Sequence, residues 1–330
     1  MSLQNPLISI LMPVKNAAPF LNKCIQSIID QTESHWDLIA IDDGSTDSSH
    51  AILSGFAQKD ERIVVLKNNG SGIIDALRTA YSKSQGSLIT RMDADDIMAP
   101  QKLEILKHHL LDFGEGHIAV GMVKYFSEIQ LGNGYLKYEN WLNSLTQDAN
   151  NFNDIYKECV IPSPCWMVYR KDLYKCDAFN PNVYPEDYDL CFRFYREKLM
   201  PIPCNQVLHF WRDHPERSSR NDDHYANNQF LELKVKWFLE LDFNPEKPLV
   251  VWGAGSKGKT IAKLLKRYEI DFRWICNNPN KIGKHVYGIQ LESTEITENQ
   301  NELQVIVAVA NPDEQNKIGK AIDTEAFWFC

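Results

Sequence analysis

The sequence predicts an α/β fold, a mainly parallel sheet flanked by helices, with a second and smaller α/β domain behind it. Three observations predict this. Short apolar runs alternate with segments of helical period from the first residues onward, which is the pattern of parallel strands with helices on both faces. The alternation restarts after Pro245 and Pro248. The chain has 330 residues, more than one hydrophobic core usually organises, so two domains are expected.

Residues 7–12 read as a buried strand. Phe20, Leu21, Cys24, Ile25, Ile28 and Ile29 then recur at helical spacing just after Pro19, a residue favoured in a first turn. Residues 38–41 form the second strand, and Ile52, Leu53 and Phe56 mark the next helix. Strands over 63–66 and 88–92 enclose a helix over about 72–83. The stretch from about 125 to 160, with Tyr135, Tyr138, Trp141, Phe152 and Tyr156, reads as an irregular insertion that shapes a substrate site. A strand over 165–169 follows, Pro185-Glu186-Asp187-Tyr188-Asp189 opens a helix, and an amphipathic helix is expected over about 223–241. Strands over 249–252, 272–276 and 305–309 then belong to the second unit.

Composition narrows the function classes. The chain is 44% hydrophobic and 24% charged with a net charge of −9, and an acidic balance argues against a dedicated nucleic-acid binder. No apolar run approaches the ~18 residues that cross a bilayer, and the start lacks a basic-then-apolar signal segment. The eight cysteines include no C-x-x-C pair, so free thiols in a reducing compartment are expected. These features point to the cytoplasm, with association at the inner face of the membrane left open.

In a parallel sheet, ligands bind beyond the carboxyl ends of the strands. Two such ends are acidic. Asp93-Ala94-Asp95-Asp96 offers alternate carboxylates, which suit one hard divalent ion bridging a diphosphate. The same loop could simply cap the helix that begins near Pro100. Asp42-Asp43-Gly44-Ser45-Thr46-Asp47 ends another strand, where a carboxylate can accept a uracil imide N–H or a ribose hydroxyl. Turn formation, with Ser45 or Thr46 capping the next helix, is the competing role.

Five motifs taken together are more specific than any one of them. Pro13-Val14-Lys15-Asn16, Asp42 to Asp47, Arg91-Met92-Asp93-Ala94-Asp95-Asp96, Glu186-Asp187-Tyr188-Asp189-Leu190 and Arg212-Asp213-His214 resemble, in order and spacing, the family 2 glycosyltransferases. These are inverting enzymes of the GT-A fold, and the resemblance covers roughly residues 6–240. It is nearest to bacterial members that build surface glycans. The resemblance implies that Asp43 recognises the nucleotide base over a floor formed by Pro13, Val14 and Asn16. It places Asp93 near the donor ribose or sugar, Asp95 as a metal ligand, and His214 as the residue completing the metal or diphosphate site. Arg212 contacts phosphate and Arg78 lies in the donor region. Asp187 resembles the catalytic base, with Glu186 beside it. Three positions depart from the family pattern: relatives often carry an aromatic residue at Lys15, asparagine at Arg78 and histidine at Ser163.

An inverting transfer needs one carboxylate cluster for the ion and a separate one facing the acceptor. Adjacent acids such as Glu186 and Asp187 also push one another's pKa apart. A Pro-Glu-Asp helix start is equally a good dipole arrangement. In the second domain, Gly253-Ala254-Gly255-Ser256-Lys257-Gly258 lies between a strand and a helix, as in dinucleotide-binding turns. Asn277-Asn278 nevertheless stands where an acid would hold the ribose, so a tight glycine turn is an equal reading.

The sequence therefore predicts a GT-A-like domain over 1–244 and a Rossmann-like accessory domain over 245–330. The expected activity is inverting transfer of a hexosyl unit from a nucleoside-diphosphate sugar, a UDP-sugar first, to a glycan or lipid-linked acceptor. Mn2+ or Mg2+ is the expected cofactor, and 245–330 is a candidate surface for a protein partner. The alternatives are a non-catalytic nucleotide-binding scaffold and a nicotinamide-dependent oxidoreductase.

Overall fold

A computed structural model describes residues 5–128, 131–217, 230–297, 303–322 and 325–330. The chain forms two compact units. The first runs to Arg217 with Asp154–Cys159 left out, and the second holds that short segment and the described residues beyond Arg217.

The first unit contains, in chain order, β1 (Ile8–Val14), α1 (Ala18–Ile29), β2 (Trp36–Asp42), α2 (Ser49–Ala57), β3 (Ile63–Lys67), α3 (Ile73–Lys83), β4 (Leu88–Arg91), β5 (Ile97–Met98), α4 (Lys102–Phe113), β6 (His117–Phe126), α5 (Asn133–Gln147), β7 (Trp166–Tyr169), α6 (Arg170–Lys175), α7 (Glu186–Arg196) and β8 (Met200–Arg212). Its sheet has the order β3-β2-β1-β4-β7-β6-β8-β5. β1 is parallel to both β2 and β4, and its residues from Ile8 to Met12 are fully buried. Burial on both faces is why these strands read as continuous apolar runs. α1 begins with Pro19 in its first turn and buries Leu21, Cys24, Ile25 and Ile28. Register then aligns the chemistry: Val14 lies beside Asp42, and Leu11 beside Arg91. The loops after β1, β2 and β4 therefore leave the sheet at one edge.

A second alignment comes from the other end of the sheet. β8 runs parallel to β6 until Phe126 meets Arg212, and β5 pairs antiparallel with it, Met98 opposite His209. This carries Arg212 and the residues after it to the loop that follows β4.

The stretch 125–160 is more regular than the sequence suggests. It contains the fifteen-residue α5 and a short 3-10 turn at Asn151–Asp154. α5 docks partly by hydrogen bonds, which explains its weak apolar stripe. The Asn143 side chain bonds both the N–H and the C=O of Val123, at 2.9 and 2.8 Å, and Glu139 accepts the Tyr125 N–H.

The second unit contains α8 (Phe230–Leu241), β9 (Leu249–Trp252), α9 (Ser256–Arg267), β10 (Arg273–Ile275), β11 (His285–Val286), β12 (Ile289–Glu292), β13 (Gln304–Val307), α10 (Pro312–Ala321) and β14 (Glu325–Trp328). Its sheet, β11-β12-β10-β9-β13-β14, is parallel apart from the β11–β12 pair. The first part of the helix expected over 223–241 lies outside the described residues. The described part belongs to this unit, so the unit begins ahead of the boundary expected at 244. Tyr156 explains why the segment Asp154–Cys159 joins it. Its ring stacks on Phe329 at 5.2 Å, and its hydroxyl donates to Asp242 at 2.5 Å.

The glycine turn after β9 packs tightly. A Cβ on Gly258 would lie inside contact distance of the Gly253 carbonyl, whereas one on Gly255 would meet nothing. Gly258→Ala should therefore destabilise the second unit by about 1–3 kcal/mol, the usual cost of overpacking. Calorimetric melts should show that unit unfolding earlier, while Gly255→Ala melts like the parent chain.

Candidate active site

The first acidic strand end divides its work between two neighbouring carboxylates. Asp42 is structural: it accepts the Ser45 N–H at 3.0 Å and approaches His50 at 3.2 Å. The turn needs Gly44, whose φ is +70°. Asp43 points elsewhere and receives the Gly72 N–H at 3.0 Å, Asn68 at 2.6 Å and Lys15 Nζ at 3.2 Å. Asn16, at φ +48°, ties the loops after β1 and β2 together, accepting the Thr46 N–H at 2.8 Å and donating its own to Ser45 Oγ. Val14 accepts the Asp43 N–H, with Pro13 just before it on β1. Neither Ser45 nor Thr46 caps α2; Asp47 accepts the Ser49 N–H there.

The second acidic loop does not cap α4 either, since that helix has no side-chain cap. Each of its acids instead has its own partner. Asp93 accepts from Arg91 Nε at 2.8 Å, and Asp95 Oδ2 lies 3.0 Å from His214 Nε2. Asp96 is buried and bonded on both oxygens, to the Arg212 N–H at 2.7 Å and to His209 Nε2 at 2.9 Å. Beneath it, Lys102 Nζ reaches His209 Nδ1 at 3.2 Å and also donates to the Pro164 carbonyl. Because an ammonium only donates, Nδ1 accepts and His209 presents Nε2–H to Asp96. Burial, then Asp95 and Asp93, push the Asp96 carboxyl up. Burial, then Lys102 and Arg217, hold the His209 imidazole well below its ordinary value.

Aromatic faces support the side chains beside this loop. His214 packs against Phe20 with ring centroids 4.6 Å apart. The Arg212 guanidinium lies 5.0 Å from the Phe20 ring and 4.5 Å from Phe126, while its Nε donates to the Asp95 carbonyl at 2.6 Å. Arg217 stacks over Trp211 at 4.9 Å and Tyr125 at 5.5 Å. Such contacts hold a charge in place without neutralising it.

Glu186 and Asp187 stand at the start of α7, and Arg91 joins them to the acidic loop. Its guanidinium, 5% exposed, donates to Glu186 Oε1 at 3.0 Å while its Nε holds Asp93. Burial opposes the charge of Arg91, but Asp93, Glu186 and Asp187 outweigh it and keep the guanidinium protonated. Half-buried Asp187 is pushed up to about 7, by burial first and by Glu186 second, with Arg91 holding it lower than it would otherwise be. Arg78 is engaged differently, bonded to Asp75, to the carbonyls of Phe179 and Asn180, and to Asn182. The fold thus gathers Asp93, Asp95, Arg212 and His214, links Asp93 to Glu186, and places Asp43 with Pro13, Val14 and Asn16 along the same edge. Arg91, Arg217 and Phe20 enter the site, a role that the sequence alone assigned to none of them. Arg91 is the one a motif could have flagged, since it opens the acidic run.

Residues 9–177 match the family model described as Glycosyl transferase family 2, which is half of the chain. The chain belongs to that family. Glycosyltransferase GlyG of Streptococcus pneumoniae is 32% identical over 219 residues, spanning 62% of this chain and 70% of GlyG. The Escherichia coli enzyme WfgD, a UDP-Glc:alpha-D-GlcNAc-diphosphoundecaprenol beta-1,3-glucosyltransferase, is 28% identical over 74% of this chain and 88% of its own. Two other relatives are matched over only 30% and 45% of their length. Among solved structures, S. aureus TarS 1-349 with UDP-GlcNAc aligns with a TM-score of 0.57 at 15% identity, over 79% of this chain and 72% of TarS. The mannosyltransferase PcManGT of Pyrobaculum calidifontis, solved with GDP-Man and Mn2+, aligns at 0.54 and 15% identity, covering 80% of this chain and 70% of its own. The architecture is GT-A-like, and the enzyme is a glycosyltransferase.

The raised pKa of Asp187 has a thermodynamic consequence. Its folded value, about 7, lies above the ordinary 3.8. The protonated acid therefore contributes stability that is complete below the ordinary value and lost as pH rises through about 7. Asp187→Asn removes that loss. The variant should melt higher than the parent at pH 8, by a margin that shrinks at pH 5, and thermal denaturation at the two pH values measures it.

Proposed function

We propose that this glycosyltransferase moves a hexosyl unit, with inversion, from a UDP-sugar to a hydroxyl of a glycan or lipid-linked acceptor, assisted by Mn2+ or Mg2+. The observation that carries the reading is the separation of two acidic groups, Asp95 with His214 and Glu186 with Asp187, with Arg91 bonding both Asp93 and Glu186. The donor class is supported by TarS, solved in complex with UDP-GlcNAc, and by WfgD, a glucosyltransferase that uses UDP-Glc. WfgD also motivates a lipid-linked acceptor, and PcManGT with Mn2+ motivates the ion.

The residues present fit a divalent ion. Two ligands on neighbouring corners of an octahedron with bonds of about 2.1 Å stand about 3.0 Å apart, the distance between Asp95 Oδ2 and His214 Nε2. Among the described residues no group of three or more His, Cys, Asp or Glu side chains converges on one ion. Such a site suits an ion that takes its remaining ligands from phosphate and water. When bound, the ion supplies positive charge against the leaving diphosphate. Arg212 and Arg217 add to that charge from their aromatic supports. Asp43 orients the base above Pro13, Val14 and Asn16, and Asp93 faces the ribose or sugar. Asp187 takes the acceptor proton, while Arg91 bonds Glu186 at 3.0 Å and holds the Asp187 pKa lower than it would otherwise be. The second unit has an accessory role: every carboxylate assigned to the reaction lies in the first, and Asn277 is engaged with Trp252 Nε1 at 3.2 Å.

UDP should raise the melting temperature more with Mn2+ than with chelator. At a hundred times its dissociation constant a ligand adds about 2.7 kcal/mol. Asp95→Ala should abolish the metal-dependent part, and an equal shift in EDTA would remove the ion from the reaction.

Turnover should rise with pH through about 7, as Asp187 loses its proton. Asp187→Asn should lower turnover by about two to four orders of magnitude with nucleotide binding intact. Arg91→Met should move the acidic limb of the pH–rate profile upward, because the cation that lowers the Asp187 pKa is gone. A limb that stayed in place would mean that another group titrates.

A further inference from the structure

The second unit has a face whose chemistry the transfer reaction does not use. From Gly253 to Tyr268 the chain carries five lysine or arginine residues and no acid. Four of them, Lys259, Lys263, Lys266 and Arg267, are exposed on α9. After the exposed Glu269 and Asp271, the stretch from Phe272 to Leu291 adds Arg273, Lys281 and Lys284 with no further acid, so 253–291 holds eight basic residues against two acids. The chain as a whole has 44 acidic against 35 basic residues, so this segregation runs against its composition. The two segments are neighbours in space. Lys266 Nζ donates to the Tyr287 carbonyl at 2.5 Å, and Lys263 Nζ lies 4.9 Å from the centre of the Tyr287 ring. Arg267 pairs with Glu232 and Arg273 with Glu292, so the lysines supply most of the uncompensated charge. The same two segments expose three apolar tips, Tyr268 at 40%, Tyr287 at 39% and Ile282 at 38%.

The residue types narrow the partner. Lysines are point charges on flexible stems and do not read a fixed anion as a guanidinium fork does. Spread over one face, they suit a fluid array of negative headgroups. Aromatic and aliphatic tips among them suit the boundary between headgroups and acyl chains. We propose that α9 and the β11–β12 hairpin dock this protein on a bilayer of anionic phospholipid. The lysines lie among the headgroups, and Ile282, Tyr268 and Tyr287 touch the boundary below. This surface lies outside the residues assigned to sugar transfer, so it stands or falls separately from that assignment.

Flotation of the full chain with phosphatidylcholine vesicles, with and without phosphatidylglycerol, tests the idea. The chain should float only with the anionic vesicles, and added salt should release it by screening. Each lysine near such a surface contributes about fivefold in partitioning. The variant K259Q/K263Q/K284Q should therefore bind about a hundredfold more weakly, with melting temperature and UDP binding unchanged. Ile282→Ser, which keeps every charge, should weaken binding by a smaller factor. Equal flotation with neutral vesicles, or undiminished binding by the triple variant, would overturn the proposal. So would equal affinity for a DNA duplex, which would make the face a general polyanion site.

Discussion

Carboxylates repel one another, and the site edge of the first unit concentrates them: Asp42, Asp43, Asp93, Asp95, Asp96, Glu186 and Asp187 all follow strand ends or open a helix there. The edge holds because most of these acids are met by a cation or by hydrogen-bond donors. Lys15 and two donors answer Asp43, Arg91 answers Asp93 and Glu186, His214 answers Asp95, and the His209–Lys102 pair with the Arg212 N–H answers Asp96. Arg91 is the central member. It is buried, it bridges β4 to α7, and without it two chain segments 95 residues apart would meet as bare like charges.

The same arrangement separates the acids by character. Burial first and Glu186 second raise the Asp187 pKa to about 7, while Arg91 holds it lower than it would otherwise be. A carboxyl tuned in this way is poised to exchange protons near physiological pH, and that is what general-base chemistry asks of it. Asp95 and His214, by contrast, stand 3.0 Å apart, with the Phe20 ring packed against the imidazole. One sheet edge thereby carries a group tuned for protons and a group suited to a cation.

Much of the first unit was legible because parallel strands buried on both faces write themselves as apolar runs. Strands 7–12, 38–41, 63–66 and 88–92 correspond to β1 to β4 within a few residues. The acids were legible because they sit at strand ends in five ordered motifs. His214 was legible through its own motif although it lies 119 residues from Asp95, but the partners of Asp96 were not, since His209 is 113 residues from Asp96 and 107 from Lys102. A lone histidine or lysine carries no mark of such a meeting. α5 escaped for another reason. Asn143 and Glu139 bind the backbone of β6 where an apolar residue would have kept the helical period visible.

The glycine turn of the second unit shows how one motif can satisfy packing without chemistry. Gly253 has a φ of +122°, and Gly258 brings α9 against the Gly253 carbonyl so closely that no side chain fits. Both constraints would exist with no nucleotide present. At the end of β10, where a ribose would need an acid, Asn277 accepts from Trp252 and reaches Glu314 at 3.4 Å. The helix is held tightly on its inner side by these glycines, and its outer side is left to lysines that no acid of its own segment neutralises. What the packing fixes is therefore the pose of a charged surface, and the pose of a surface matters most for a partner that is itself extended.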